Sequence, residues 1–409
     1  MKKIKVFYSG WGEHWPLGVL ADSGRELLFE YDAEALKQNL ELSPLNLKLR
    51  KPAYQNFPIH QMRLPGLISD CLPDGWGLLL MDKLFRKKGL SIAEISPLDR
   101  LAFLGDRAMG ALSFEPHTED KFEVNQLSLV QIAEDIQETI SGKGSEVLPQ
   151  LALMGGSPHG ARPKVLVNFD PKDEHIYFRE NSQGEPWLIK FQAQGEHKEV
   201  CALEDLYADM ARDSSLTISE TKYFDVTKNL SAFGTKRFDR QKSLRIPIHS
   251  LAGVLDANFR IPSSVDYLSF LQVTRLMTNS EAEVAKAFRQ CVFNLIFNNR
   301  DDHSKNFSFI LGENHRWKLA PAYDLTFCVG PGGEHQMDIM GEGKHPGSEH
   351  LMELGTKAGL DKKICRAIMD EIIDCAINFK HRAKDRPIRK KTIDEIDKII
   401  LENIKRVKN

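Results

Sequence analysis

The chain has 409 residues, 42% of them hydrophobic, with a formal net charge of −2 at pH 7 and a pI near 6.7. That length supports two or three lobes around sizeable cores, and the near-neutral balance excludes a global nucleic-acid or membrane field while leaving a local patch open. The six cysteines (Cys71, Cys201, Cys291, Cys328, Cys365, Cys375) form no CxxC pair and no disulfide or zinc spacing, so they read as scattered thiols of a reducing compartment. No apolar run approaches the length of a membrane span. The basic N-terminus meets Gly10 and Glu13 too soon for a signal-peptide core. A cytoplasmic protein is expected.

In chain order, residues 4–8, 16–20 and 26–31 read as short strands separated by turn residues. Residues 74–89 read as a helix stopped by Gly89, 97–116 as a short helix running into a strand, and 128–140 as a further helix. A glycine-rich turn, GGSPHGARPK (155–164), is followed by the strands VLVNF and PWLIKF, then by a helix over EVCALEDLYADMARD. YFDV and SAFGTKRFDR read as more strands. From about residue 265 the pattern turns helical, broken by a hairpin in FSFILGENHRWKLAP, and 351–409 carry two or three amphipathic helices. A β-rich first half and a helical second half make an α+β chain.

Between the helix before residue 298 and that hairpin lies FNNRDDHSKN, a dense polar stretch between apolar ones. Asp301 and Asn306 stand in R-D-x4-N, the spacing of the protein-kinase catalytic loop, where the Asp takes the substrate hydroxyl proton and the Asn holds Mg²⁺. A polar capping loop would use the same residue types. Asp324, in AYDLTF after the strand WKLAP, offers a second hard oxygen for Mg²⁺. Lys190 sits in an apolar strand, where a cation is costly unless matched. It reads as a phosphate contact partnered by Glu204 on the next helix, or as an edge-strand lysine snorkelling to water. The turn at 155–164 carries Gly155 and Gly160 in G-x4-G, yet Ala161-Arg162 follow where a P-loop needs Lys-Ser/Thr. Its amides, Arg162 and Lys164 could still cradle phosphates.

These elements together resemble the HipA family of serine/threonine kinases, toxins of bacterial toxin–antitoxin pairs, over nearly the whole chain. The resemblance lies in LLFEYD, LPDGWGLLLMDKL and PLDRLAFLGDRAMGALSF of the N-terminal part, and in SPHGARPK, IKF, KRFDR, DDHSKN and AYDLT. It implies a two-lobed kinase-like fold: an N-terminal subdomain (1–120), an N-lobe core (121–260) and a helical C-lobe (261–409). It implies ATP and Mg²⁺ as cofactors, Asp301 as general base and Asn306 and Asp324 as metal ligands. Lys164 and Lys190 would contact phosphates, Ser157, His159, Gly160, Ala161 and Arg162 would form the ATP loop, and the backbone around Lys236 and Phe238 would receive adenine. His303 and Lys305 would assist the phosphates, and Ser157 would be autophosphorylated. The implied partners are a protein substrate, with an aminoacyl-tRNA synthetase as precedent, and a HipB-like DNA-binding antitoxin. A small-molecule phosphotransferase and a non-catalytic antitoxin partner are the other readings of the same residues.

Two stretches stand outside that set. His335, His345 and His350, in a glycine-rich loop over 330–350, match no standard zinc spacing and read as a mobile segment beside the active site. KHRAKDRPIRKK (380–391) reads as a solvated face or linker, or as a stripe for DNA phosphates.

Overall fold

The structure, a computed structural model, describes residues 1–117, 128–142, 148–155, 159–172, 176–177 and 184–409. The chain folds as two compact units. The first holds 1–198, 222–249 and 253–256; the second holds 199–221, 250–252 and 257–409. The helix Glu199–Asp213 thus belongs to the second unit.

The first unit carries two larger sheets and the two-stranded ribbon Arg240–Gln241/Leu244–Arg245. One has strands β1 (Lys3–Tyr8), β2 (Trp15–Asp22), β3 (Leu27–Tyr31) and β4 (Leu112–Glu115), in the antiparallel order β3-β2-β1-β4. Alternation sets its register: Ile4, Val6 and Tyr8 are buried while Lys3 and Lys5 face water. The helix Gly75–Lys87 buries Trp76, Leu80, Met81, Leu84 and Phe85. The helix Pro97–Leu104 starts at a capping box in which Ser96 and Asp99 satisfy each other's backbone amides. The other sheet has β5 (Lys164–Phe169), β6 (Ile176–Tyr177), β7 (Glu185–Phe191), β8 (Thr221–Asp225) and β9 (Ser231–Lys236), ordered β6-β5-β7-β9-β8.

The second unit is helical. Tyr267–Thr278, Glu281–Ile296, Ser348–Lys357, Lys362–Ala376 and Lys390–Lys408 are its long C-terminal helices. The hairpin Ser308–Leu311/Trp317–Leu319 closes at Leu311↔Trp317, as the turn residues GENHR predict.

Several expectations need correcting. The strand over SAFGTKRFDR ends at Lys236; the chain leaves the sheet at Arg237–Asp239 and resumes pairing only at Arg240–Gln241. The helix Leu148–Gly155 was not predicted, because its apolar run LPQLALMG lacks a polar face to mark a helical period. Ala33–Gln38, capped by Asp32, was also missed for its brevity. Lys190 is on no edge: β7 is the central strand, and the residue is 7% exposed.

Asp239 explains why the strand stops where it does. Its carboxylate takes paired hydrogen bonds from Arg237 (2.8 Å each), one from Arg240 (2.8 Å) and one from the Gly110 amide (2.8 Å). Arg240 and Arg245 in turn donate to the carbonyls of Ala108 and Gly110. The KRFDR segment is thereby locked to the loop before β4. Burial alone would raise the Asp239 carboxyl's pKa, but the Arg237 and Arg240 charges and the amide outweigh it and hold the group far below the usual carboxylate range. A folded pKa below the unfolded value of about 3.9 means the stabilisation is complete above that pH and fades as pH falls toward the folded value. Asp239→Asn should therefore cost about 3–5 kcal/mol at neutral pH, from two arginines left buried without a counter-charge. In urea titrations the gap to wild type should narrow on acidification below about pH 4.

Candidate active site

The helix Glu281–Ile296 is buried along most of its length and ends at Phe297. Two side chains answer its last carbonyls. Asn403 Nδ2 donates to Leu295 O (3.0 Å) and Ile296 O (3.3 Å), and Tyr207 Oη donates to Phe297 O (2.7 Å). Asn298 then takes a left-handed φ of 54°, which Asn tolerates better than most residues, and turns the chain outward.

The next residues alternate in role. Asn299 Nδ2 donates to Asn294 Oδ1 (3.0 Å), Asn294 Nδ2 to Tyr267 Oη (3.0 Å), and Tyr267 Oη to Asp302 Oδ2 (2.7 Å). Asp302, 1% exposed, also accepts from His335 Nδ1 (2.7 Å) and the Gln336 amide (2.8 Å). That contact puts the His335 proton on Nδ1. Burial and the adjacent carboxylate push the Tyr267 hydroxyl's pKa well up, keeping it a donor. By contrast the Asp301 side chain is 48% exposed, with His303 Nε2 3.9 Å from its Oδ1. Of two consecutive aspartates one is an internal anchor and the other faces out.

Asn306 ends the short turn Ser304–Asn306, and its Nδ2 donates to Asp301 O (2.7 Å). With the nitrogen so engaged, Oδ1 is the atom of this side chain that could serve a metal. Asp324 lies on a parallel segment: Cys328 N donates to Asn298 O (3.0 Å), and Asn298 Nδ2 to Cys328 O (2.9 Å). Tyr323, beside Asp324, donates to Lys305 O (2.6 Å) and pairs with Ser308 Oγ (2.7 Å). The Asp301–Asn306 loop and the Asp324 turn are therefore brought side by side, and their hard oxygens suit Mg²⁺. His303 and Lys305 both pack on Phe259, with the His303 ring at 5.3 Å and Lys305 Nζ at 5.2 Å.

In the first unit, Lys164 on β5 and Lys190 on β7 are direct cross-strand partners, 3% and 7% exposed. Lys164 Nζ donates to His159 O. The loop carrying His159, Gly160 and Ala161 is braced by the LPDGW segment. Asp74 accepts from the Gly160 amide, Trp76 N donates to Gly160 O (3.1 Å), and Trp76 Nε1 donates to Lys164 O (3.0 Å). His159 Nε2 lies 2.9 Å from Leu72 O. Gly75 has φ +42°, and a Cβ there would sit 2.7 Å from Ala161 Cα, so only glycine fits this approach. Arg162 pairs with Glu196 (2.9 Å). Ser157 lies outside the described residues.

Lys236 ends β9 and pairs with Glu185 (2.6 Å); Arg237 N donates to Pro186 O (2.9 Å), and Phe238 is half-buried. Glu204 is buried on Glu199–Asp213, so it and Lys190 stand in different units.

Sequence reasoning missed the parts of Asp74, Trp76, Tyr267, Asn294, Asp302 and His335. The doubled aspartate in RDDH was the available signal for Asp302; its partners are distant in sequence and left none. The segment 330–350 is also not the loose loop expected. Arg300 donates to Gly333 O and to Lys344 O (3.0 Å), His335 N donates to Gly343 O (2.8 Å), and Asp302 holds His335.

Residues 156–378 match the family model described as the HipA-like C-terminal domain, and residues 9–115 the one described as the HipA N-terminal domain. A Haemophilus influenzae protein named "Putative kinase" is 28% identical over 188 residues, 42% of this chain and 52% of that protein. The chain thus spans about half the length of that curated relative. A chain of the Shewanella oneidensis MR-1 structure of HipA, HipB and operator DNA superposes with a TM-score of 0.72 at 16% identity, covering 99% of this chain and 97% of that one. The latter is a likeness of fold.

Asp302→Asn should lower thermal stability. An amide would turn a donor toward the Tyr267 and His335 donors or toward the Gln336 amide, at a cost of about 1–3 kcal/mol. A melting curve of the variant beside wild type reads this directly, and an unchanged midpoint would mean that Asp302 is no anchor.

Proposed function

The chain belongs to the HipA family, and on that premise we propose that it is an ATP- and Mg²⁺-dependent serine/threonine protein kinase acting as a toxin-type enzyme. The observation that carries this reading is the outward Asp301 carboxylate, held between the buried Asp302 anchor and the Asn306 side chain bonded to its own carbonyl. A base so fixed meets the geometric demand of phosphoryl transfer, where positioning and charge stabilisation do most of the work.

In this reading Asp301 orients the acceptor hydroxyl and takes its proton as the γ-phosphoryl group moves in line to the serine or threonine oxygen and ADP leaves. Asn306 and Asp324 hold Mg²⁺, which supplies charge neutralisation at the phosphates. Lys190 and Lys164 hold phosphate oxygens, and Glu204 belongs to the same proposed nucleotide-binding set. The amides of Gly160 and Ala161, with His159 and Arg162, form the loop over them. The backbone between Lys236 and Phe238 receives adenine. His303 and Lys305, packed on Phe259, flank the base. The kinase name of the Haemophilus influenzae relative supports the reaction class, and the Shewanella protein solved with HipB and operator DNA supports a HipB-like antitoxin as partner. A protein of the translation machinery, such as an aminoacyl-tRNA synthetase, is the proposed acceptor, and Ser157 the proposed autophosphorylation site. The arrangement of three segments, 1–120, 121–260 and 261–409, belongs to the same proposal.

Incubation with ATP and Mg²⁺ followed by intact-mass and peptide mass spectrometry should show one phosphate added at Ser157. Asp301→Asn should slow its appearance by about 10²–10⁴-fold, or about 3–5 kcal/mol of barrier. Wild-type rates in that variant would remove Asp301 from the role of base. A phosphate at Ser157 brings about −1.5 to −2 charges to the place of ATP's own, so Ser157→Asp should weaken ATP binding in calorimetry. Equal affinity would end the idea of regulation through Ser157.

A further inference from the structure

Two arcs of chain within the second unit carry the proposed metal ligands. One runs from Arg300 to Phe307 and holds Asp301 and Asn306; the other runs from Pro321 to Phe327 and holds Asp324. Backbone bonds pin the pair at both ends. At one end Ala320 N donates to Ser308 O (2.8 Å), where the hairpin closes. At the other, Asn299 and Cys328 form a parallel bridge, and Cys328 N donates to Asn298 O (3.0 Å). Between these pins neither arc contains a strand. A sheet ladder therefore does not set how far Asp324 stands from Asn306.

Tyr323 spans the interval. Its Oη lies 2.6 Å from Lys305 O and 2.7 Å from Ser308 Oγ. A carbonyl can only accept, so the single phenol proton goes to Lys305 O. Ser308, 6% exposed, then donates its own proton to the phenol oxygen. The bonds run in one direction, from Ser308 to Tyr323 to Lys305. The backbone at the foot of the tyrosine is anchored separately, by Ala322 N on Thr217 O (2.8 Å). Each end of the Tyr323–Lys305 bond adjoins a proposed ligand: Tyr323 precedes Asp324, and Lys305 precedes Asn306. A phenol turns about only two side-chain torsions, so it acts as a spacer of nearly constant length.

We propose that Tyr323 is a positioning residue whose hydroxyl sets the separation of Asp324 from Asn306, so that oxygens of both meet one divalent cation. This rests on the metal reading of those two residues. The spacing selects among cations. Mg²⁺ demands near-ideal octahedral geometry at short distances, whereas Ca²⁺ accepts longer bonds and a looser shell. A ligand moved by a few tenths of an ångström therefore costs Mg²⁺ more than it costs Ca²⁺.

Tyr323→Phe isolates the hydroxyl, since the ring and its packing remain. ATP binding is measured by calorimetry at graded Mg²⁺, and again at graded Ca²⁺, for wild type, Tyr323→Phe and Ser308→Ala. In Tyr323→Phe the Mg²⁺ concentration that gives half of the full gain in ATP affinity should rise about 10-fold. The Ca²⁺ midpoint should move less, and ATP affinity without metal should match wild type. Ser308→Ala takes a bond from the same phenol but leaves the one to Lys305, so it should lower the melting temperature and leave the Mg²⁺ midpoint in place. An unchanged Mg²⁺ midpoint in Tyr323→Phe overturns the inference. So do equal shifts for Mg²⁺ and Ca²⁺, or an equal shift in Ser308→Ala, because either marks loosened packing rather than altered ligand spacing. Asp324→Asn keeps the two levels apart. If wild type responds to Mg²⁺ and this variant responds identically, Asp324 is no ligand, and the metal reading fails together with the inference. A wild type that binds ATP with no response to Mg²⁺ has the same consequence, and one that binds no ATP ends the kinase reading itself.

Discussion

Two buried lysines in direct cross-strand register are the constraint around which the second sheet of the first unit is arranged. Lys164 and Lys190 are register partners on adjacent strands, where like charges destabilise, and their burial adds a desolvation penalty. The apolar pairs Val165↔Ile189 and Val167↔Trp187 fix that register. The sheet therefore carries the lysines to the same place at the same time whether or not they welcome each other. In the proposed reaction these two lysines are the cations that polyphosphate oxygens would meet.

The neighbouring loop cannot be understood from the second sheet alone. Its Gly160 amide and carbonyl are both bonded by the segment Asp74–Trp76, and Gly75 lets that helix start almost touch Ala161. Asp239 makes the matching link at the other end of the sheet, tying KRFDR to Gly110. The motifs LPDGW and GDRAMGALSF thus brace the loop proposed to hold phosphates and the strand end proposed to receive adenine. The N-terminal sheet is structural support for the proposed nucleotide site rather than an appendage to it.

What was legible in the sequence followed from local period and chemistry. The strands of both sheets other than the two-residue β6, the helices at 75–87, 199–213 and 281–296, and the hairpin at 308–319 all announced themselves by alternation or helical spacing. Asp301, Asn306 and Asp324 stand out in the sequence because their spacing resembles that of a kinase catalytic loop. What stayed hidden depends on partners far along the chain. Asp302 needs Tyr267 and His335, and the basic stretch needs Glu199, Asp205 and Asp209. Composition cannot distinguish an arginine paired with a buried aspartate from one facing solvent. The loop 330–350 misled for the same reason: its glycines suggest freedom, while Arg300 and Asp302 remove it.

Asp324 has a backbone φ of +58°, in the left-handed region. Asparagine and aspartate occupy that region several-fold more readily than other residues with a β-carbon. If the proposed metal role holds, the position serves two ends, its carboxylate oxygens for the ion and its main-chain torsion for the turn. The usual alanine replacement would confound the two, removing a ligand and straining the turn in one step. Asparagine keeps the torsion while weakening the ligand, so it is the substitution that separates electrostatics from shape at this point of the chain.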